Sequence, residues 1–193
     1  ARARAIAQTL LLLPWVLAEL AVALIWRGLL AEDGGWINLM IGKLGGAALP
    51  WRTDPFLAML ALWIATLWQG LAFSTLLQMA GIGALPEHHL HAAKLDGASR
   101  WLIFRAIVWP HQRRVIAVNA LLVFLFSLTS FALPFALTGG GPLFATEVPA
   151  LYAYQTAFAG RFELGYAAAQ GMILLVGCAL LIAVLLRLRW RAA

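Results

Sequence analysis

Charge is what this sequence has least of. Of its 193 residues only 11% are charged, and just eight side chains are acidic. A soluble domain is about a quarter charged and about half apolar. Here 63% of residues are apolar and mean hydropathy is +0.87. That balance excludes an ordinary soluble domain and points to a membrane protein. Cysteine is nearly absent: the single Cys178 excludes an internal disulfide and, set in an apolar run, reads as a packing residue. The Gly-x-x-x-x-Gly-Lys-Ser/Thr phosphate loop is missing, so any ATP hydrolysis belongs to another polypeptide. No Ser-His-acid set and no usefully spaced pair of carboxylates is visible, so the chain reads as no enzyme by itself. Internal repeats, low-complexity tracts and a cleavable signal peptide are also missing. The first residue is Ala rather than Met, as expected of a processed product, an excised domain or a fragment.

What is present is long apolar sequence. A spanning helix needs about 20 mainly apolar residues to cross roughly 30 Å of hydrocarbon. Four stretches qualify, at about 5–30, 56–80, 115–137 and 164–186. They predict an all-α, polytopic helical bundle forming one transmembrane domain over 1–193. The stretch 31–54 is Gly- and Pro-rich and reads as a loop, with Trp36 and Trp51 suited to the membrane–water boundary. Residues 146–162 read as a short surface helix presenting Tyr152, Tyr154 and Phe158. The net charge of +6 could suit nucleic acid, but the basic residues stand at the ends of apolar runs, so no nucleic acid is expected. Placing both termini and the loop 84–114 on one side gathers Arg2, Arg4, Lys94, Arg100, Arg105, Arg113, Arg114, Arg187, Arg189 and Arg191 there. Only Arg27, Lys43, Arg52 and Arg161 face the other side. The basic side is expected to be cytoplasmic.

The loop 84–114 is the longest polar interruption. Pro86 and Glu87 make a good first helical turn. The helix can run to Leu95. Asp96-Gly97 is a turn pair, and Gly97 can adopt the left-handed backbone that ends a helix. Ser99 can cap a second helix to Ile107 before Pro110 marks a break. The spacing predicts two short helices meeting at an elbow. Taken alone, this is also what an ordinary amphipathic surface loop looks like. His88 and His91 share a face, but with no Cys and no fourth ligand nearby a metal site is not expected.

The elbow resembles the cytoplasmic loop of ABC importer permeases, whose motif is Glu-Ala-Ala, three residues, Gly, nine residues, Ile, any residue, Leu-Pro. Here His91-Ala92-Ala93 is followed by Lys94-Leu95-Asp96, Gly97, nine residues, then Ile107, Val108, Trp109 and Pro110. The spacing fits throughout; His91 replaces the Glu and Trp109 the Leu. Asp96 to Trp101 and Phe104-Arg105 resemble the sugar-importing branch, as does Leu137-Thr138-Gly139-Gly140-Gly141-Pro142. The resemblance extends over essentially the whole chain and implies a MetI-like permease core. That core has five or six spans, so one or two helices are expected before Ala5.

The resemblance implies an ATP-driven importer of a sugar or related polyol. Its partners would be a second homologous permease, two ATP-binding subunits, an extracytoplasmic substrate-binding protein and membrane lipid. ATP-Mg would sit in the ATP-binding subunits, with no cofactor on this chain. Glu87, His88, His91, Ala92, Ala93, Asp96, Gly97, Ser99, Arg100 and Arg105 would dock the motor. Gly139, Gly140, Gly141 and Pro142 would meet the binding protein on the outer side, although a flexible turn has the same composition. Within the spans, Glu19, Gln69, Asn119, Ser127 and Ser130 are candidates to line the path. Ser, Thr and Asn also bond helix to helix routinely, but a mid-membrane carboxylate costs about 3 kcal/mol and should face a cavity or partner. Two other classes fit the composition: a membrane assembly or regulatory subunit that keeps the elbow but moves nothing, and an ion-coupled transporter using Glu19.

A histidine at 91 cannot supply the fixed negative charge of the motif's Glu, and Glu87, one turn earlier, can replace it. Glu87→Gln is then expected to weaken motor binding and ATP-dependent uptake several-fold in vesicles. Unchanged binding and uptake would refute the substitution.

Overall fold

A computed structural model describes Leu12, residues 14–159 and residues 162–191. Among these residues all regular structure is helical. The elements are α1 (Glu19–Leu29), α2 (Trp36–Lys43), α3 (Pro55–Gly83), α4 (Glu87–Leu95), α5 (Arg100–Ile103), a π-turn (Phe104–Val108), α6 (Trp109–Thr129), α7 (Ala132–Leu137), α8 (Pro149–Phe158) and α9 (Leu164–Arg191). Three helical stretches among the described residues are long and apolar enough to cross a membrane: Pro55–Gly83, Arg100–Thr129 and Leu164–Ala183. The expected first span, 5–30, lies partly outside the described residues. Within them the chain departs from helix at Leu17–Ala18 and restarts at Glu19. Glu19 therefore occupies a helix N-terminus, where free amides favour a carboxylate.

The third span differs from its expected bounds at both ends, for reasons set by two prolines. Pro110 lacks the N–H that would bond the Ala106 carbonyl, yet the helix does not stop. Phe104–Val108 widens into a π-turn in which the Trp109 N–H reaches the Phe104 carbonyl, and helix continues from Arg100 to Thr129. Pro134 has the opposite effect. It cannot donate back to Ser130, so helix ends at Thr129, bends at Ser130–Phe131 and restarts as α7, where Pro134 stands in the first turn and its missing donor is not needed.

The chain forms two compact units. One comprises Gln69–Phe124 with the described residues up to Val16; the other comprises Leu17–Trp68 and the chain from Leu125 onward. In the first, Trp15 packs on Phe73 with ring centroids 6.2 Å apart. In the second, Val22 and Ala23 of α1, Leu62 and Ala65 of α3, and Leu133, Ala136 and Leu137 of α7 form a buried cluster. Its three alanines let the backbones approach closely, the usual way helices associate where lipid removes the hydrophobic drive. Arg27 crosses this seam to donate to the Ala136 carbonyl at 3.2 Å. Tyr154 of α8 packs against Phe131, Phe135 and Phe158, so α8 is tied inward on that side. The expected surface helix is thus shorter than 146–162.

The loop 31–54 contains a helix the composition does not reveal. Asn38, only 6% exposed, holds α2 in place. Its Nδ2 donates to the Glu32 carbonyl at 3.3 Å and the Leu49 carbonyl at 3.0 Å. Its Oδ1 accepts from the Leu49 N–H and from Trp51 Nε1, both at 3.0 Å. Trp51 is accordingly buried against Leu30 and Ala61 and is no boundary residue. Glu32 Oε1 adds bonds from the Arg52 N–H and the Thr53 hydroxyl. Asn38→Ala would strand buried donors, each costing about 1–3 kcal/mol. The variant is expected to melt several degrees lower in detergent; an unchanged melting temperature would contradict this role.

Candidate functional site

The elbow forms as its residues dictate. After Asp96 the Gly97 N–H bonds the Lys94 carbonyl at 3.1 Å and the Ala98 N–H bonds the Ala93 carbonyl at 3.0 Å. This pair of bonds ends a helix through a left-handed residue, and Gly97 has φ +73°. Ser99 Oγ then accepts the Leu102 N–H at 3.2 Å and starts α5. His88, His91, Ala92, Asp96, Gly97, Ser99, Arg100 and Arg105 are exposed and Ala93 is half-buried. Glu87 opens α4. Leu95, at the bend, is 89% exposed. Trp101 stacks on Phe104, which in turn meets Trp109, so these aromatics cover one another along the start of the span. No group of three or more potential metal ligands occurs among the described residues.

The elbow's two legs are tied at its base by residues that motif reasoning passes over. Gln112, almost fully buried, donates through Nε2 to the Gln78 carbonyl at 3.0 Å and to the Gln78 side-chain oxygen. His111 Nε2 lies 3.1 Å from the Gly81 carbonyl, to which it donates as the Nε2–H tautomer. A Cβ at Gly81 would come within 2.8 Å of a Val115 methyl and 2.9 Å of Gln112 Oε1, so glycine is what lets α3 and α6 meet there. The sequence signal was available: Gln78 lies just inside one apolar run, and His111 and Gln112 lie just before the next.

The Gly-rich segment is a built loop. The Thr138 and Thr146 hydroxyls are 2.7 Å apart, Thr146 Oγ1 donates to the Gly141 carbonyl at 2.9 Å, and Gln155 Nε2 donates to the Gly139 carbonyl at 3.1 Å. Gly139 and Gly140 have φ +68° and +88°, and Gly141–Pro142 is cis. A Cβ at Gly140 would press on Leu151 at 3.1 Å. The loop presents Leu143 and Phe144 outward, both strongly exposed. Thr146 and Gln155, which hold it, lie outside the segment that drew attention in the sequence.

Of the polar span residues, three come together. Ser130 Oγ donates to Glu19 Oε1, joining the bend after α6 to the start of α1. Ser127 and Ser130 line a cavity of about 220 Å³ with Trp63, Thr66, Thr146 and Glu147. At about 10–15 Å³ of such space per water, it holds on the order of ten waters. Gln69 and Asn119 belong to the other unit and do not line it. Among the described residues Asn119 Oδ1 is buried without a hydrogen-bond partner. Trp63, Thr66 and Glu147 complete the cavity and were not among the expected path residues.

Comparison with known proteins agrees with this architecture. The family model described as binding-protein-dependent transport system inner membrane component matches residues 2–192. A probable ABC transporter permease protein of Pyrococcus horikoshii is 33% identical over 171 residues, covering 88% of this chain and 58% of the relative. The trehalose/maltose transport system permease protein MalF of Thermococcus litoralis is 31% identical over 166 residues, covering 86% of this chain and 56% of the relative. The chain thus spans little more than half the length of these curated relatives. The crystal structure of a bacterial ABC transporter involved in import of the acidic polysaccharide alginate superposes with TM-score 0.86 at 22% identity, over 98% of this chain and 66% of that one; it shares the fold.

The elbow's geometry makes a discriminating demand on position 97. A Cβ there meets open space, so any substitution acts through φ alone. Gly97→Ala is expected to cost about 1 kcal/mol or slightly more, whereas Gly97→Asn, which tolerates the left-handed region, should cost less. Protection of the Gly97 and Ala98 amides against hydrogen exchange reads the difference; equal protection in the two variants would remove the conformational argument.

Proposed function

Since this chain belongs to the binding-protein-dependent transport system inner membrane components, multi-pass proteins of the membrane, we propose that it is a permease subunit of an ATP-driven ABC importer for a sugar or related polyol. The observation that carries the reading is the elbow. One short helix, α4, is set off by Gly97 and Ser99 from the capped start of the Arg100–Thr129 helix; it stands between two membrane-long helices and leaves His88, His91, Ala92 and Leu95 uncovered. Such a lever transmits force only if something grips it. The grip would be the groove of a separate ATP-binding subunit, present in two copies and holding ATP-Mg, on the cytoplasmic side where the basic residues cluster. Gln112 and His111 would carry its displacement directly into α3 and α6, because they tie both legs at the base.

The path would run past Ser127, Ser130, Thr66 and Trp63, shared with a second homologous permease. Hydroxyls that donate and accept, beside an indole face, suit a ligand rich in hydroxyls. Glu147 in the lining and Glu19 bonded to Ser130 put carboxyl groups at the cavity, with no Lys or Arg in its wall among the described residues, which favours a neutral ligand over an anionic one. The Gly-rich loop would receive the extracytoplasmic substrate-binding protein through Leu143 and Phe144, held outward by Thr146. Alternating access would follow: closure of the motor draws the elbows together and opens the path on the far side.

Affinity purification from detergent is expected to bring down an ATP-binding subunit, and reconstituted uptake should need ATP. Ser130→Ala should raise the half-saturating sugar concentration several-fold, the worth of one hydrogen bond of about 0.5–1.5 kcal/mol. ATP-independent uptake that collapses with the proton gradient and with Glu19→Gln would instead mark an ion-coupled carrier. An ATPase complex with no uptake would mark an assembly subunit.

A further inference from the structure

α2 has two sides with opposite surroundings. At about 100° per residue, Ile37, Asn38 and Ile41 fall on one side. Ile37 and Ile41 pack against the Leu30–Trp51–Ala61 cluster, and Asn38 makes the four hydrogen bonds that fasten the helix. Trp36, Leu39 and Met40 fall on the other side, with Leu44 just beyond the last turn. They are 66%, 52%, 59% and 88% exposed. An eight-residue helix and the residue that follows it therefore hold four large apolar groups uncovered, and the helix is anchored too firmly to turn them inward. The only charge on the helix is Lys43, in its last turn and on the exposed side.

The position of α2 says what covers that face. Its loop leads within twelve residues to Pro55, where a helix long enough to cross the bilayer begins, and the first side chain after that proline, Phe56, is itself strongly exposed. Ile37 and Ile41 share a cluster with Leu57, Leu60 and Ala61, so α2 is packed beside the start of α3. Beside Trp36, Leu39 and Met40 this side of α2 carries no polar side chain except Lys43. Tryptophan at one end, aliphatic groups along the middle and a lysine able to reach outward are what an interfacial helix requires.

We propose that α2 is a membrane-surface anchor. It lies in the headgroup region at the Pro55 end of α3, with Trp36, Leu39, Met40 and Leu44 dipping into the acyl boundary and Lys43 directed to lipid phosphates. The anchor fixes the depth at which α3 enters the bilayer, opposite the end that leads into the elbow. This inference rests on α3 spanning the membrane and is independent of the cargo and of the motor.

The lone cysteine makes the test direct. In a Cys178→Ser background, Met40→Cys carries an environment-sensitive fluorophore, and the full chain is reconstituted in phosphatidylcholine–phosphatidylglycerol vesicles. Nitroxide lipids labelled near the headgroup are expected to quench it at least twofold more than lipids labelled deep in the acyl chain. A label at Lys94 in the elbow should show no such quenching by deep lipids and serves as reference. Absence of lipid quenching overturns the proposal, as does deep quenching equal to that of a label in the middle of α3. So does an unquenched probe that becomes shielded only when a soluble binding protein is added. Should Met40→Cys fail to yield a monodisperse protein, Leu44→Cys, outside the helix and 88% exposed, gives the same readout.

Discussion

A backbone amide or carbonyl left bare in hydrocarbon costs several kcal/mol, and that one constraint organises this chain. It is why all regular structure among the described residues is helical, and why several departures from helix come with a device that answers the freed groups. At Pro110 the answer is a π-turn. Just before the bend at Ser130–Phe131 the Thr129 hydroxyl bonds the Leu125 and Phe126 carbonyls. At 138–146 two threonine hydroxyls and Gln155 serve the loop carbonyls. In the loop 31–54 a single asparagine serves three backbone groups and the Trp51 indole. Irregular backbone in this protein is held by buried or half-buried polar side chains rather than left loose.

The same devices position function. The bend that Pro134 forces places Ser130 beside Glu19 and opens the cavity that Ser127 and Thr66 line. The Thr138–Thr146 contact holds the Gly-rich loop so that Leu143 and Phe144 face outward. The Gln78–Gln112 and Gly81–His111 bonds couple the two helices from which the elbow hangs. In the proposed mechanism a lever without a stiff base would flex instead of moving the spans, and these residues would supply that stiffness.

The elbow was legible in the sequence almost residue by residue. Gly97, Ser99 and Pro86 act through local backbone chemistry, which needs no partner to be read. The long apolar helices were legible for the same reason, since hydropathy over about 20 residues is a local sum. Their ends were less so. Pro110 and Pro134 look alike in one dimension, yet one is absorbed by a π-turn and the other breaks the helix. Trp51 carries the same boundary signature as Trp36 but is buried, because its indole N–H meets Asn38 thirteen positions earlier.

By itself, then, the order of residues determined the class of protein, the helical content, the three long described helices and the shape of the elbow, because each depends on neighbours within a few turns. Only tertiary structure decided that Ser130 finds Glu19 across 111 positions, that Gln112 reaches Gln78 across 34, and that Asn38 turns a glycine-rich loop into a fixed helix. Those pairings follow from which backbones come close, and small residues such as Gly81, Ala65 and Ala136 permit that approach. Close approach is a property of two segments together and is written in neither one alone.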